Sequence, residues 1–224
     1  MIQTALASLL TASILTLSAP SPEVSGSAEI VPQAQQAQVE LGSASMSLDN
    51  RLAFKGANDV YKDNILLNLA YLSGEAKEGQ SVNWDQIRKP FSIQFNLEPN
   101  QRFAFHDTLL LEYSEGVVLT TNSHFNAEEG YKSDGNLYGM GVCHLASLIN
   151  MAAKKAGLES IVPTNHDFYT INEVPREYGV AIFSSPDSAL VSAKQNLYIK
   201  NNLESKVTFK FDFDGVNLKV SVLK

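Results

Sequence analysis

Hydrophobic positions in this chain recur at two spacings, and the places where the spacing changes mark out its elements. From Ala57 to Leu72, Val60, Leu67 and Tyr71 fall on one helical face, Ile65, Leu69 and Leu72 widen it, and Gly74 supplies a stop. Phe91 to Leu97 alternates strictly between apolar and polar residues, the pattern of a half-buried strand. Short strands are expected at Phe103 to Phe105 and Val117 to Thr121, followed by a polar loop rich in Gly, Asn and Ser from Asn122 to Asn136. The clearest helix covers residues 143–156: Leu145, Leu148, Ile149, Ala152 and Ala156 recur at helical spacing, Lys154 and Lys155 suit its negative end, and Gly157 caps it. Leu197 to Ile199 predicts a further strand. Val207, Phe209, Phe211 and Phe213 then alternate into an Asp214-Gly215 turn, and Leu218, Val220 and Val222 alternate out of it, which predicts a hairpin. These elements predict an α+β domain in which a central helix bearing Cys143 packs on a mostly antiparallel sheet.

The start of the chain follows neither spacing. Residues 2–19 are uncharged and rich in Leu, Ala, Ile and Ser, and Pro20-Ser21-Pro22 follows, so residues 1–19 are expected to be a signal peptide or a short membrane anchor. Residues 20–48, rich in Ser, Gln, Ala, Pro and Glu, predict a linker, and residues 49–224 the folded domain. An extracytoplasmic location follows from that leader.

Composition narrows the functional classes. Hydrophobic residues make up 44% of the 224 positions and charged residues 18%, enough for a sizeable core. A formal net charge of −7 without a Lys/Arg stripe argues against a nucleic-acid partner. The single cysteine excludes an internal disulfide framework. It stands in Gly139-Met140-Gly141-Val142-Cys143-His144, at the expected start of a helix, where free N–H groups and the dipole favour a thiolate. On a helical wheel Cys143 lies opposite the apolar stripe, beside Ser147, Asn150 and Lys154. No zinc-type spacing joins His106, Asp107, His124 and Glu128, and Gly139-x-Gly141 lacks the third glycine of a dinucleotide site, so neither a metal nor a cofactor is expected. Trp84, Tyr131 and Tyr138 are candidates to line a groove.

The cysteine helix and its flanks resemble the VanW-like family of bacterial cell-envelope proteins. That family carries a Gly-Val-Cys-Gln-Val-Ser-Thr-Thr helix start and an Ala-Gly-Leu helix end. Here the matching residues are Gly141-Val142-Cys143-His144-Leu145-Ala146-Ser147 and Ala156-Gly157-Leu158. His166-Asp167, Asp187 to Val191, and Asn196-Leu197-Tyr198-Ile199-Lys200-Asn201-Asn202 resemble three later family elements. Asp63-Asn64-Ile65, Pro99 to His106, and Gly130-Tyr131 resemble earlier ones. The likeness covers residues 52–224 with an insertion near 75–95. The family's Gln after the cysteine is His144 here. The resemblance implies an envelope setting, with a cell-wall peptide or another envelope component as partner.

In chain order the candidates for chemistry are Cys143, His166 after a short strand and Asp187 before another, the order of transglutaminase-like and papain-like cysteine enzymes. Cys143 would be the nucleophile, His166 the base and Asp187 the orienting group, in amide hydrolysis or acyl transfer on cell-wall peptides. Gly141, His144 and Ser147 would support the substrate or an oxyanion. His144 points about 100° away from Cys143 on a helix, which favours His166 as base, and Asp167 is a rival orienter. The alternatives are a non-catalytic cell-wall-binding module and a cysteine that pairs with another protein through an intermolecular disulfide.

Overall fold

The computed structural model describes residues 38–224 except Asn136 and Phe168; the expected leader and the linker up to residue 37 lie outside the described residues. The elements run β1 (Glu40–Ser47), α1 (Lys55–Ser73), α2 (Trp84–Ile87), β2 (Phe91–Leu97), β3 (Arg102–Ala104), α3 (Leu111–Ser114), β4 (Val117–Leu119), α4 (Val142–Lys155), β5 (Glu159–Ile161), α5 (Ala189–Lys194), β6 (Tyr198–Lys200), β7 (Val207–Phe213) and β8 (Asn217–Leu223). A single 3₁₀ turn at Arg176–Tyr178 precedes α5. The class is α+β. No helix among the described residues is long and apolar enough to cross a membrane.

Two four-stranded sheets form, in the orders β1-β8-β7-β2 and β4-β3-β6-β5. The first is antiparallel throughout; the second is antiparallel except for the β3–β4 pair. The alternation of β2 and β7 fixes their register, placing Phe95 opposite Phe209 with their rings stacked at 5.0 Å. Phe95 also stacks on Phe103 of β3 at 5.1 Å, so one aromatic column joins the two sheets.

Two expectations need correction. Residues 40–47, expected to belong to the linker, are instead the edge strand β1, paired with β8. Asp187 precedes a helix and not a strand, since Ser188 caps α5 by accepting from the Val191 N–H.

α1 carries more than the single apolar face its pattern suggests. From Asp63 to Tyr71 every residue is buried, Asn64 and Asn68 included. These amides hold the long loop between β4 and α4. Asn64 donates to the carbonyls of Lys132 and Met140 and accepts from the Lys132 N–H, while Asn68 donates to Ser123 Oγ and Tyr131 Oη. Asp63 anchors the segment between α1 and β2 by accepting a two-pronged bond from Arg88 (2.8 and 2.7 Å), and it accepts a further one from Lys132. Burial pushes its carboxyl up, but these two cations hold it below the usual range.

Candidate functional site

The site forms where α4 begins. Gly139 and Gly141 both have positive φ, 74° and 107°, so the chain can double back before entering the helix. At Gly141 a side chain would also collide, since a Cβ would lie 2.8 Å from the Tyr61 carbonyl and 3.1 Å from Ile65 Cγ1. This glycine lets the start of α4 rest directly on α1. The N–H groups of Val142 and His144 turn back onto the carbonyls of Gly139 and Gly141, so they do not face a ligand.

The middle of the polar side of α4 is closed to solvent, while Lys154 at its end is exposed. Ser147 and Asn150 are fully buried, and the segment 178–182 runs alongside them. Asn150 donates to the Tyr178 carbonyl at 2.8 Å. The Val180 N–H donates to Ser147 Oγ at 2.9 Å, and that hydroxyl donates to the Cys143 carbonyl at 2.7 Å. At the top of this ladder the Ile182 N–H donates to Cys143 Sγ (3.3 Å) and the thiol donates to the Ile182 carbonyl (3.4 Å). Helix positions 143, 147 and 150 thus meet residues 182, 180 and 178. The cysteine side lies opposite the apolar stripe because it grips a second segment.

Electrostatics follow from this packing. Burial pushes the Cys143 thiol up to about 11, against the smaller opposing effect of the N–H groups of Ile182 and of Cys143 itself. That is opposite to the depressed value expected at a helix start: desolvation outweighs the dipole. His144 Nδ1 hydrogen-bonds the Tyr61 hydroxyl at 2.8 Å. Burial first, then the charge of Arg51 and the neighbouring His166, push His144 down to about 3. His166 is buried, its ring 5.7 Å from that of His144 and nearly perpendicular to it, and burial lowers it too. The carboxylate acting on His166 is that of its neighbour Asp167.

A cavity of about 540 Å³ opens over these groups, between the 124–141 loop and the segment reaching Pro186. Gly141, Cys143, His144 and His166 all line it, with walls that include Tyr61, Phe125, Tyr138, Tyr169 and Phe183. Asp187 does not line it; that residue is exposed, and its N–H donates to Ser185 Oγ. Ser147 lies beneath, within the ladder. Of the aromatic candidates, Tyr138 lines the cavity, Tyr131 is buried against Ser123 and Asn68, and Trp84 lies close to both Arg88 and Lys132. Tyr61 escaped notice because its partner His144 is 83 positions away and no local pattern links them.

At the mouth, His124 is held between two carboxylates, Nδ1 at 3.1 Å from Glu129 and Nε2 at 3.0 Å from Asp107. Only an imidazolium donates through both nitrogens. Desolvation opposes the charge, yet Asp107 and Glu129 raise His124 above its usual value. Among the described residues no group of three or more His, Cys, Asp or Glu side chains is arranged to hold a metal ion. No protein-family model, curated protein or solved structure matches the chain.

Proposed function

We propose that this chain is an exported, VanW-like cell-envelope protein that binds a cell-wall peptide in the cavity above α4, with Cys143 building the cavity floor. The observation that carries this reading is the engagement of the Cys143 sulfur by both backbone groups of Ile182, with its proton directed at a carbonyl. A nucleophile needs its proton aimed at a base and its thiolate stabilised, and here burial favours the thiol. The resemblance supplies the envelope setting. Two asparagines of the segment 196–202 that carries part of the resemblance also have roles in folding: Asn196 donates to the carbonyls of His106 and Thr108, and Asn201 to those of Leu97 and Ser205.

Calorimetric titration of soluble peptidoglycan fragments into the protein tests the reading. Wild type and Cys143→Ser should bind with equal affinity, and neither should release product. Failure of wild type to bind any fragment would refute it.

A second reading is favoured by the shared cavity of Cys143, His144 and His166. In it the thiol leaves Ile182 when substrate enters, and His166 takes its proton. Amide cleavage of wall peptides that disappears in both Cys143→Ala and His166→Ala would establish this alternative.

A further inference from the structure

The cavity above α4 has a composition that discriminates among ligands. Its described lining includes no lysine or arginine, and Asp134 is its one carboxylate. The histidine and thiol groups within it are engaged by protein partners: Cys143 by Ile182, His144 by Tyr61, and His124 by Asp107 and Glu129. The one cation among these groups, His124, already spends both ring nitrogens on Asp107 and Glu129, so a carboxylate or phosphate entering this space would be left unpaired, and an unpaired buried charge is strongly disfavoured. The net charge of −7 opposes anions at longer range as well.

The entrance points the same way. Leu137, Tyr138 and Tyr169 line the mouth and are 53%, 48% and 56% exposed, a group of large apolar side chains left facing water. Such a group beside an apolar hollow marks a place where apolar surface is covered on binding. Phe125, Val142 and Ile182 continue the apolar wall inward and are themselves buried.

We propose that the group this cavity takes is an uncharged apolar side chain of a peptide, aliphatic or aromatic, while the charged ends of that peptide stay outside the mouth. This rests on the reading of the cavity as the binding site. The low basicity of His144 and His166 and the high pKa of Cys143 agree with it, because all three groups are uncharged near neutral pH.

The test uses the full chain and the neutral dye N-phenyl-1-naphthylamine, whose fluorescence rises in apolar surroundings. N-acetyl-Leu-Tyr-amide should displace the dye at concentrations ~10-fold or more below N-acetyl-Asp-Glu-amide, as expected when one peptide buries apolar groups and the other would bury charge. Tyr138→Asp alters an exposed residue, so its melting temperature should match wild type while dye and apolar peptide both bind ~10-fold more weakly. Equal competition by the acidic peptide overturns the proposal. So does an absence of dye and peptide binding, or displacement by decanamide but not by the peptide. Displacement by the apolar peptide from a protein that ignores peptidoglycan fragments leaves this proposal standing and removes the envelope reading.

Discussion

Cys143 shows how one residue can suggest opposite chemistry in sequence and in structure. Its place at the start of α4 favours a thiolate, but the residue is half-buried and its sulfur is bonded to the Ile182 backbone. Raising a thiol from 9.0 to about 11 leaves ~100-fold less thiolate at neutral pH. Iodoacetamide should therefore alkylate the native protein roughly 100-fold more slowly at pH 7.5 than the same chain in urea, with a rate still rising near pH 10. Equal rates in the two states would contradict the burial argument. One turn below, Ser147 offers a cleaner energetic test. Ser147→Ala leaves the buried Val180 N–H without its acceptor and should cost about 1–3 kcal/mol in urea unfolding. If the ladder is what places the 178–182 segment, the same variant should also speed hydrogen exchange at Val180 and Ile182.

At the level of elements, the helices and the site loop carry two histidines whose titrations act in opposite directions. His144 is held neutral against Tyr61 and its value falls from 6.5 to about 3, so the unfolded chain takes up its proton first on acidification. Its contribution is present above pH 6.5 and is lost as pH falls toward 3. His144→Gln keeps a polar partner for Tyr61 without titrating. The stability advantage of wild type over this variant should shrink between pH 7 and pH 4, as read from urea midpoints. His124 is held cationic by Asp107 and Glu129 and its value is raised, so its contribution is present below pH 6.5 and is lost as pH rises through the raised value. His124→Gln should accordingly cost more at pH 6 than at pH 9; the reverse order would exclude the bridged imidazolium. Strand alternation made β2, β7 and β8 legible in the sequence almost to the residue, and helical spacing did the same for α4. The faces of the helices were less legible. Apolar periodicity describes what meets the core, whereas Asn64, Ser147 and Asn150 are buried by loops whose backbone groups they satisfy, and Asn68 by a loop whose Ser123 and Tyr131 hydroxyls it meets. Those pairings span tens of residues and follow no period. For the same reason Cys143 and His166 could be singled out and found to share a cavity, while Tyr61 and the Ile182 backbone could not be foreseen.

Across the whole molecule, the four-stranded sheet and α4 approach each other at a distance that only small residues permit. A Cβ on Gly42 would lie 2.5 Å from the Ala156 nitrogen and 2.8 Å from the Ala152 carbonyl oxygen. After Glu40 and Leu41, strand β1 is built from Gly42, Ala44 and alternating Ser43, Ser45 and Ser47, with Met46 its one large buried side chain, and that composition disguises it as linker. The strand is nonetheless what closes β8, and α4 packs on both. Because the contact is between backbone groups, flexible side chains cannot relieve a collision there. Gly42→Ala should destabilise the protein by about 1–3 kcal/mol, a fall of roughly 3–10 °C in melting temperature, whereas Ser45→Ala on the exposed side of the same strand should change it little. A chain begun at residue 49 tests the same contact from the other side. Without β1, the edge of β8 and the side of α4 that packs against it lie bare, so this chain should show a less cooperative melt and bind the neutral dye over much more than one site, where a chain begun at residue 38 melts in one transition. Loss of cooperativity together with loss of peptide binding would show that the far end of α4, through the sheet it rests on, holds the cavity at its near end in shape.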